Sequence, residues 1–144
     1  MSIEKSCGAI VFNYYNQELL FLIIKHKKEL GGHWDFPKGH MEGSENEEET
    51  AKREVYEEVG LDIKLYKNFR KTVKYLIHNN IKKQVVYFAG STKTRNVSIL
   101  QREISGYKWL DYEKALNILT YESQKELLRK CYLFIKYNYD CLLN

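Results

Sequence analysis

Three glutamates within one helical turn are the residues of this chain best spaced to do chemistry. Glu54, Glu57 and Glu58 stand at i, i+3 and i+4, so on an α-helix they project from one face. Neighbouring carboxylates repel by roughly 0.2–0.5 kcal/mol per exposed pair, and by more when crowded. A bound dication would remove that repulsion. Ligation by oxygen alone points to Mg²⁺, with Mn²⁺ as a substitute, rather than to Zn²⁺. A plain solvated acidic face would account for Glu47 to Glu49. It does not account for Arg53-Glu54 and Glu57-Glu58 standing next to an apolar stripe.

That stripe is Ala51, Val55 and Val59, spaced by four and expected to face the core. Ser44-Glu45-Asn46-Glu47 reads as a capping box, in which the Ser44 hydroxyl accepts from the Glu47 amide and Glu47 reaches back. The acidic residues that follow suit the positive end of the helix dipole. Gly60 is the expected stop, so the predicted helix runs from Glu45 to Val59. Around it the chain reads mainly as strands. Two are expected at Ser6 to Phe12 and Glu18 to Lys25, joined by a polar turn at Asn13 to Gln17. A loop from His26 to Pro37 leads toward the helix. Extended segments follow at Ile63 to Asn68, Phe69 to His78, Lys82 to Ser91 and Gly106 to Leu110. Asp111 can cap a helix through Leu119, and Ser123 a longer one to about Tyr139. Leu127, Leu128, Cys131, Phe134, Ile135 and Asn138 give that last helix its period. Strands mixed with three helices fit an α+β or a layered α/β/α domain.

The 144 residues suit a single domain, 1–144, with enough apolar content to build a core unaided. The formal net charge of +4 conceals an asymmetry. Residues 42–58 hold eight acidic and two basic residues, a local −6, which leaves +10 on the rest of the chain. An acidic, metal-binding pocket within a basic protein suits a polyanionic substrate such as a polyphosphate. Nucleic acid is the less favoured partner, since no run of Arg and Lys interleaves with aromatics. Cys7, Cys131 and Cys141 are scattered without metal-ligand spacing and read as reduced thiols. Met1 to Lys5 has no apolar leader, and no stretch approaches a membrane span. A cytoplasmic, monomeric protein with no membrane partner is expected.

The segment Gly39-HMEGS-Glu45-NEEETAK-Arg53-Glu54-Val55-Tyr56-Glu57-Glu58-Val59-Gly60-Leu61 resembles, at every fixed position, the signature box of the Nudix hydrolases. The resemblance extends along most of the chain. Ser6-CGAIVF, His33-Trp34-Asp35-Phe36-Pro37-Lys38-Gly39-His40 and Gly106-Tyr-Lys-Trp-Leu110 are similar to segments of the asymmetrical diadenosine tetraphosphate hydrolases. Those enzymes split a dinucleoside tetraphosphate into ATP and AMP, and often carry a second proline where Phe36 stands here. The resemblance implies an α/β/α sandwich with a mixed sheet between helices. It implies Glu54, Glu57 and Glu58 as metal ligands, joined by the Gly39 carbonyl, with Glu54 or Glu103 as general base. It also implies phosphate contacts from His33, Lys38 and Lys83, base or phosphate contacts from Tyr75, Tyr87 and Tyr121, and an Arg53–Glu45 pair that fixes the helix.

Strand period adds a geometric expectation. Lys83 and Tyr87 share a face, and Tyr75 joins them only if the loop between their strands has an odd number of residues. The reading adopted is a loop of Asn79 to Ile81, which pairs Tyr75 with Val85. Two alternatives stay open. One is a Nudix enzyme acting on ADP-ribose, diphosphoinositol polyphosphates or RNA 5′ triphosphate ends. The other is a non-catalytic nucleotide-binding module, which the complete set of box carboxylates disfavours.

Overall fold

The computed structural model describes residues 3–77 and 81–142. Its strands are β1 (Ile3–Tyr15), β2 (Glu18–His26), β3 (Trp34–Asp35), β4 (Lys38–His40), β5 (Lys64–Ile77), β6 (Ile81–Ser91) and β7 (Ile104–Leu110). Its helices are α1 (Glu47–Val59), α2 (Tyr112–Ile118), α3 (Glu122–Tyr137) and α4 (Tyr139–Leu142). The sheet runs β3-β2-β1-β6-β5, with β4 on β1 and β7 on β2. Among the described residues only the central β1/β6 pair is parallel, so the sheet is mixed.

Alternation along the central strands sorts the core into two faces. Ala9, Val11, Leu22 and Ile24 pack with Val55 and Val59 of α1, and Cys7, Val86 and Phe88 with Ala51. Ile10, Phe12, Phe21, Ile23, Val85 and Tyr87 point the other way, onto Ala115 of α2 and Leu127, Leu128, Cys131 and Ile135 of α3. Helices therefore cover both faces, the expected α/β/α arrangement. The apolar stripe of α1 is fully buried, as its spacing predicted.

Several boundaries differ from the expectation. β1 runs on to Tyr15 because Asn13 turns inward: its amide donates to the Thr92 carbonyl and its oxygen accepts from Arg95. The turn is then Asn16-Gln17 alone, both at positive φ. The two segments expected around Asn68 form one strand, β5, whose register against β6 shifts between Tyr66 and Arg70. That irregularity buries Phe69, whose ring lies 5.4 Å from that of Phe134. Part of the loop expected before Pro37 pairs as β3. The cap of α1 is Asn46 rather than Ser44, and its box partner is Glu49. α3 begins at Glu122 behind Tyr121, not at a Ser123 cap, because Thr120 is held at both its amide and its hydroxyl by the backbone of Trp34. The Asn79-Asn80 tip lies outside the described residues.

Candidate active site

α1 brings its carboxylates against β4, and the two elements bury them unequally. Glu58 is buried, and its Oε1 accepts from the Lys38 amide at 3.0 Å. Burial pushes its carboxyl up to about 8, and the nearby charges of Glu54 and Glu103 push the same way. Glu54 is also raised, again chiefly by burial, against the opposing effect of Arg53. Glu57 stays at the open edge, taking a 3.2 Å hydrogen bond from Arg53.

Arg53 organises this group. Its guanidinium donates to both oxygens of Glu45 at 2.6 and 3.0 Å, to Glu54 at 2.9 Å and to the His40 carbonyl at 2.9 Å. Glu45 in turn accepts from the Glu42 amide and the Thr50 hydroxyl and is held down at about 2, first by Arg53. The expected pairing of Arg53 with Glu45 is thus present, and it ties the entry of α1 to β4.

Gly39 is pressed onto the carboxylate of Glu54. A Cβ there would lie 2.0 Å from Glu54 Cδ. Glu54 and Glu58, raised by burial beside Glu57 and β4, offer oxygen donors of the kind a hard dication takes. With Arg53 on Glu54 and Glu57, the three glutamates do not converge to within ligand distance of one another in this structure. In donor chemistry the residues fit such a group.

Glu103 arrives from a distant loop that docks on the C-terminal end of α1. The amides of Ser98 and Leu100 satisfy the carbonyls of Val59 and Glu58, two of the acceptors that a helix end leaves unpaired. Gly60 makes the approach possible: it sits at φ 72°, and the space over its Cα is taken by Ser98. The Lys27 amide then holds the Glu103 carbonyl at 2.9 Å. The Glu103 charge lies near enough to push Glu54 and Glu58 up.

On the other face of β4 lies a cleft of about 520 Å³, lined by His33, Asp35, Lys38, Tyr75, Lys83, Tyr121 and the start of α3. Lys38 joins the two sites, with its amide on Glu58 and its side chain in the cleft. Burial lowers Lys83, and the neighbouring Lys38 adds to the effect. Tyr75 is pushed up to about 12 by burial and by Asp35. The His33 ring lies 5.5 Å from that of Tyr121 and 4.3 Å from that of His26.

Tyr75 pairs with Lys83, not with Val85, and Ile77 with Ile81. An odd number of residues still separates the paired ends, so Tyr75, Lys83 and Tyr87 do share one sheet face. Tyr87 nevertheless does not line the cleft. It is wholly buried against Phe36, and its hydroxyl is engaged by Gln124 at 3.0 Å. Gln124 also donates to Asp35 at 2.6 Å, so Asp35 and Gln124 form the cleft floor, with Tyr87 buried beneath them. Sequence reasoning passed over Asp35, Gln124 and His26. Asp35 sat inside a motif already singled out, whereas Gln124 gave no local signal.

A mixed sheet between helices, with a carboxylate-bearing α1 against a glycine strand, defines a Nudix hydrolase, and the chain belongs to that family: the NUDIX domain profile matches residues 4–131. The family comprises pyrophosphohydrolases that use divalent cations. Within it the chain is 30% identical over 141 residues to bis(5′-nucleosyl)-tetraphosphatase (asymmetrical) of Mus musculus, covering 91% of this chain and 95% of that one. The enzyme of that name from Caenorhabditis elegans is 26% identical over 136 residues, covering 92% and 97%. The structure of a C. elegans Ap4A hydrolase binary complex superposes with a TM-score of 0.83 at 25% identity, over 93% of this chain and 98% of that one. Among the described residues, no helix is long and apolar enough to cross a membrane.

Proposed function

We propose that this enzyme hydrolyses dinucleoside polyphosphates asymmetrically, with diadenosine tetraphosphate giving ATP and AMP. The observation that carries the reading is the division of labour across β4. A basic, aromatic-walled cleft lies on one face and a carboxylate cluster on the other, with Lys38 shared. Lys38 and Lys83 bind phosphate oxygens, and His33, Tyr75 and Tyr121 hold a nucleoside. Glu54, Glu57, Glu58 and the Gly39 carbonyl would hold Mg²⁺, or Mn²⁺ in its place. The cation supplies neutralisation of phosphate charge and a lowered pKa for attacking water. Arg53 engages Glu54 and Glu57, and the Lys38 amide engages Glu58, which leaves Glu103 to take the proton. Positioning and electrostatics carry this chemistry, with no covalent step asked of the protein.

The whole chain acts as one catalytic domain and as a monomer. The two buried free thiols, Cys7 and Cys131, support a reducing compartment such as the cytoplasm. Hydrolysis of diadenosine tetraphosphate with Mg²⁺ in ¹⁸O-labelled water tests the proposal. Label is expected in AMP and not in ATP, because attack falls on the phosphorus nearest one adenosine. Two ADP products would overturn the asymmetry. Faster turnover of ADP-ribose, a diphosphoinositol polyphosphate or an RNA 5′ triphosphate would overturn the substrate.

A further inference from the structure

His26, stacked on His33, and Asp35 place a second donor set at the wall of the cleft, chemically unlike the glutamate cluster. One ring nitrogen each of His26 and His33 and one oxygen of Asp35 lie within 4.8 Å of one another. Nε2 of His26 and Nδ1 of His33 are buried, and neither has a hydrogen-bond partner among the described residues. Buried polar nitrogens are ordinarily satisfied, so each of these rings calls for a partner; the nitrogen with which His33 faces Asp35 is Nε2. Asp35 is half engaged: its Oδ1 accepts from the Phe36 amide and from Gln124, while Oδ2 stands 3.8 Å from His33 Nε2. Donors that hold one carboxylate oxygen while the other faces imidazoles are the outer support expected of a metal ligand.

We propose that His26, His33 and Asp35 bind one Zn²⁺ at the base of the nucleotide cleft, and that this zinc inhibits the enzyme by competing with nucleotide. Two imidazoles and one carboxylate form a three-ligand zinc set with an open fourth position. The hard, oxygen-only cluster across β4 selects Mg²⁺ instead. Tetrahedral ligation needs donor atoms about 3.3 Å apart, so ligation requires rotation of the His26 and His33 rings out of their stack. Both rings are ready to coordinate at neutral pH, since burial lowers His33 and holds His26 down at about 4. The Lys38 and Lys83 ammonium groups face the same cleft and oppose a dication. Asp35 is the one carboxylate of the set facing them, and burial pushes its carboxyl up, so the ion is held weakly enough to be regulatory. Zinc ligation turns the His33 ring, which lies 5.5 Å from that of Tyr121, so the ion and a nucleoside held between those rings compete for one side chain.

The zinc site stands on its own geometry, and only the competition rests on the proposed role of the cleft. Crystals grown with excess Mg²⁺ and soaked in ZnCl₂ without nucleotide test the site by anomalous scattering at the zinc edge. Density is expected among His26, His33 and Asp35, and zinc density confined to Glu54, Glu57 and Glu58 would overturn the site. In turnover assays at fixed excess Mg²⁺, zinc should raise KM with little change in kcat. His26→Leu should raise the half-inhibiting zinc concentration at least about tenfold, as loss of a ligand requires. The zinc-free kcat/KM of that variant should stay within about twofold of the parent, because a 1.4 kcal/mol change would be needed for tenfold. Should Leu fail to fold at position 26, His26→Gln serves, with the same expected loss. Inhibition equal in the parent and the folded variant would overturn the proposal. An enzyme that prefers another pyrophosphate would still show the zinc density, so the two readings fail separately.

Discussion

Gly39 is needed for what it lacks. With a Cβ built 2.0 Å from Glu54 Cδ, any side chain must displace that carboxylate, the far end of a flexible chain, and not the backbone. Gly39→Ala is therefore expected to fold with near-parental stability and to lose at least about tenfold in kcat at saturating Mg²⁺, since a carboxylate moved by about an ångström costs catalysis of that order. Thermal melts alongside steady-state kinetics check this, and parental kcat would refute the role given to the contact. Glu57→Gln is a complementary case. Glu57 is the most exposed of the three glutamates, so the change relieves repulsion on α1, leaves the melting temperature level, and lowers the rate at least about a hundredfold if the carboxylate is a ligand. The glutamates were legible because a helix turns spacing into geometry. Asp35, Gln124 and His26 were not, because their neighbours come from α3 and from strand pairing rather than from nearby sequence.

The elements show why capping was misread by two residues. Ser44-x-x-Glu47 and Asn46-x-x-Glu49 are equally good boxes in sequence. The second forms because Glu47 is engaged elsewhere: Lys5 of β1 pairs with it, and Arg70 of β5 grips both its oxygens at 2.7 and 2.8 Å. Glu47 therefore pins the start of α1 to two strands, and Arg70 first, with Lys5 and against the effect of burial, holds its carboxyl down at about 2. A carboxyl whose folded-state pKa lies below its ordinary 4.5 stabilises the fold fully above that value. The contribution is lost as pH falls from 4.5 toward 2. Glu47→Gln should cost about 1 kcal/mol at pH 7, or roughly 3 °C in Tm. The gap from the parent should close across that acid window. Melting curves of both proteins from pH 7 down to 2.5 would show it, and a gap independent of pH would exclude the ion pairs as its cause. Register followed a similar pattern. Parity alone put Tyr75 on the face of Lys83, while the particular partner depended on the register that pairs Ile77 with Ile81, which periodicity leaves open.

At the scale of the molecule, layering and charge act together. Period-two alternation in β1 and β6 sends apolar side chains to both faces, and helices cover both; the mix of strands and helices alone left an α+β domain open, and the family resemblance implied the layered one. The same layering separates the acidic cluster of α1 from the cleft on the α3 side, a separation that composition registered only as −6 against +10. A highly charged polyphosphate approaching the basic remainder is drawn in, and the field that does so is screened over about 10 Å at 0.1 M salt. Raising KCl from about 20 to 300 mM at constant free Mg²⁺ should therefore lower kcat/KM by about three- to tenfold, as expected for a steered association. kcat should move much less, because in the proposed substrate complex Lys38 and Lys83 act at contact distance, inside the screening length. Lys83→Gln should lower kcat/KM at every salt concentration and flatten its slope, since one of the attracting charges is gone. A salt-independent kcat/KM in the parent would mean that the basic surface plays no part in capture. A fall in kcat as steep as that in kcat/KM would place the salt effect on the chemical step instead.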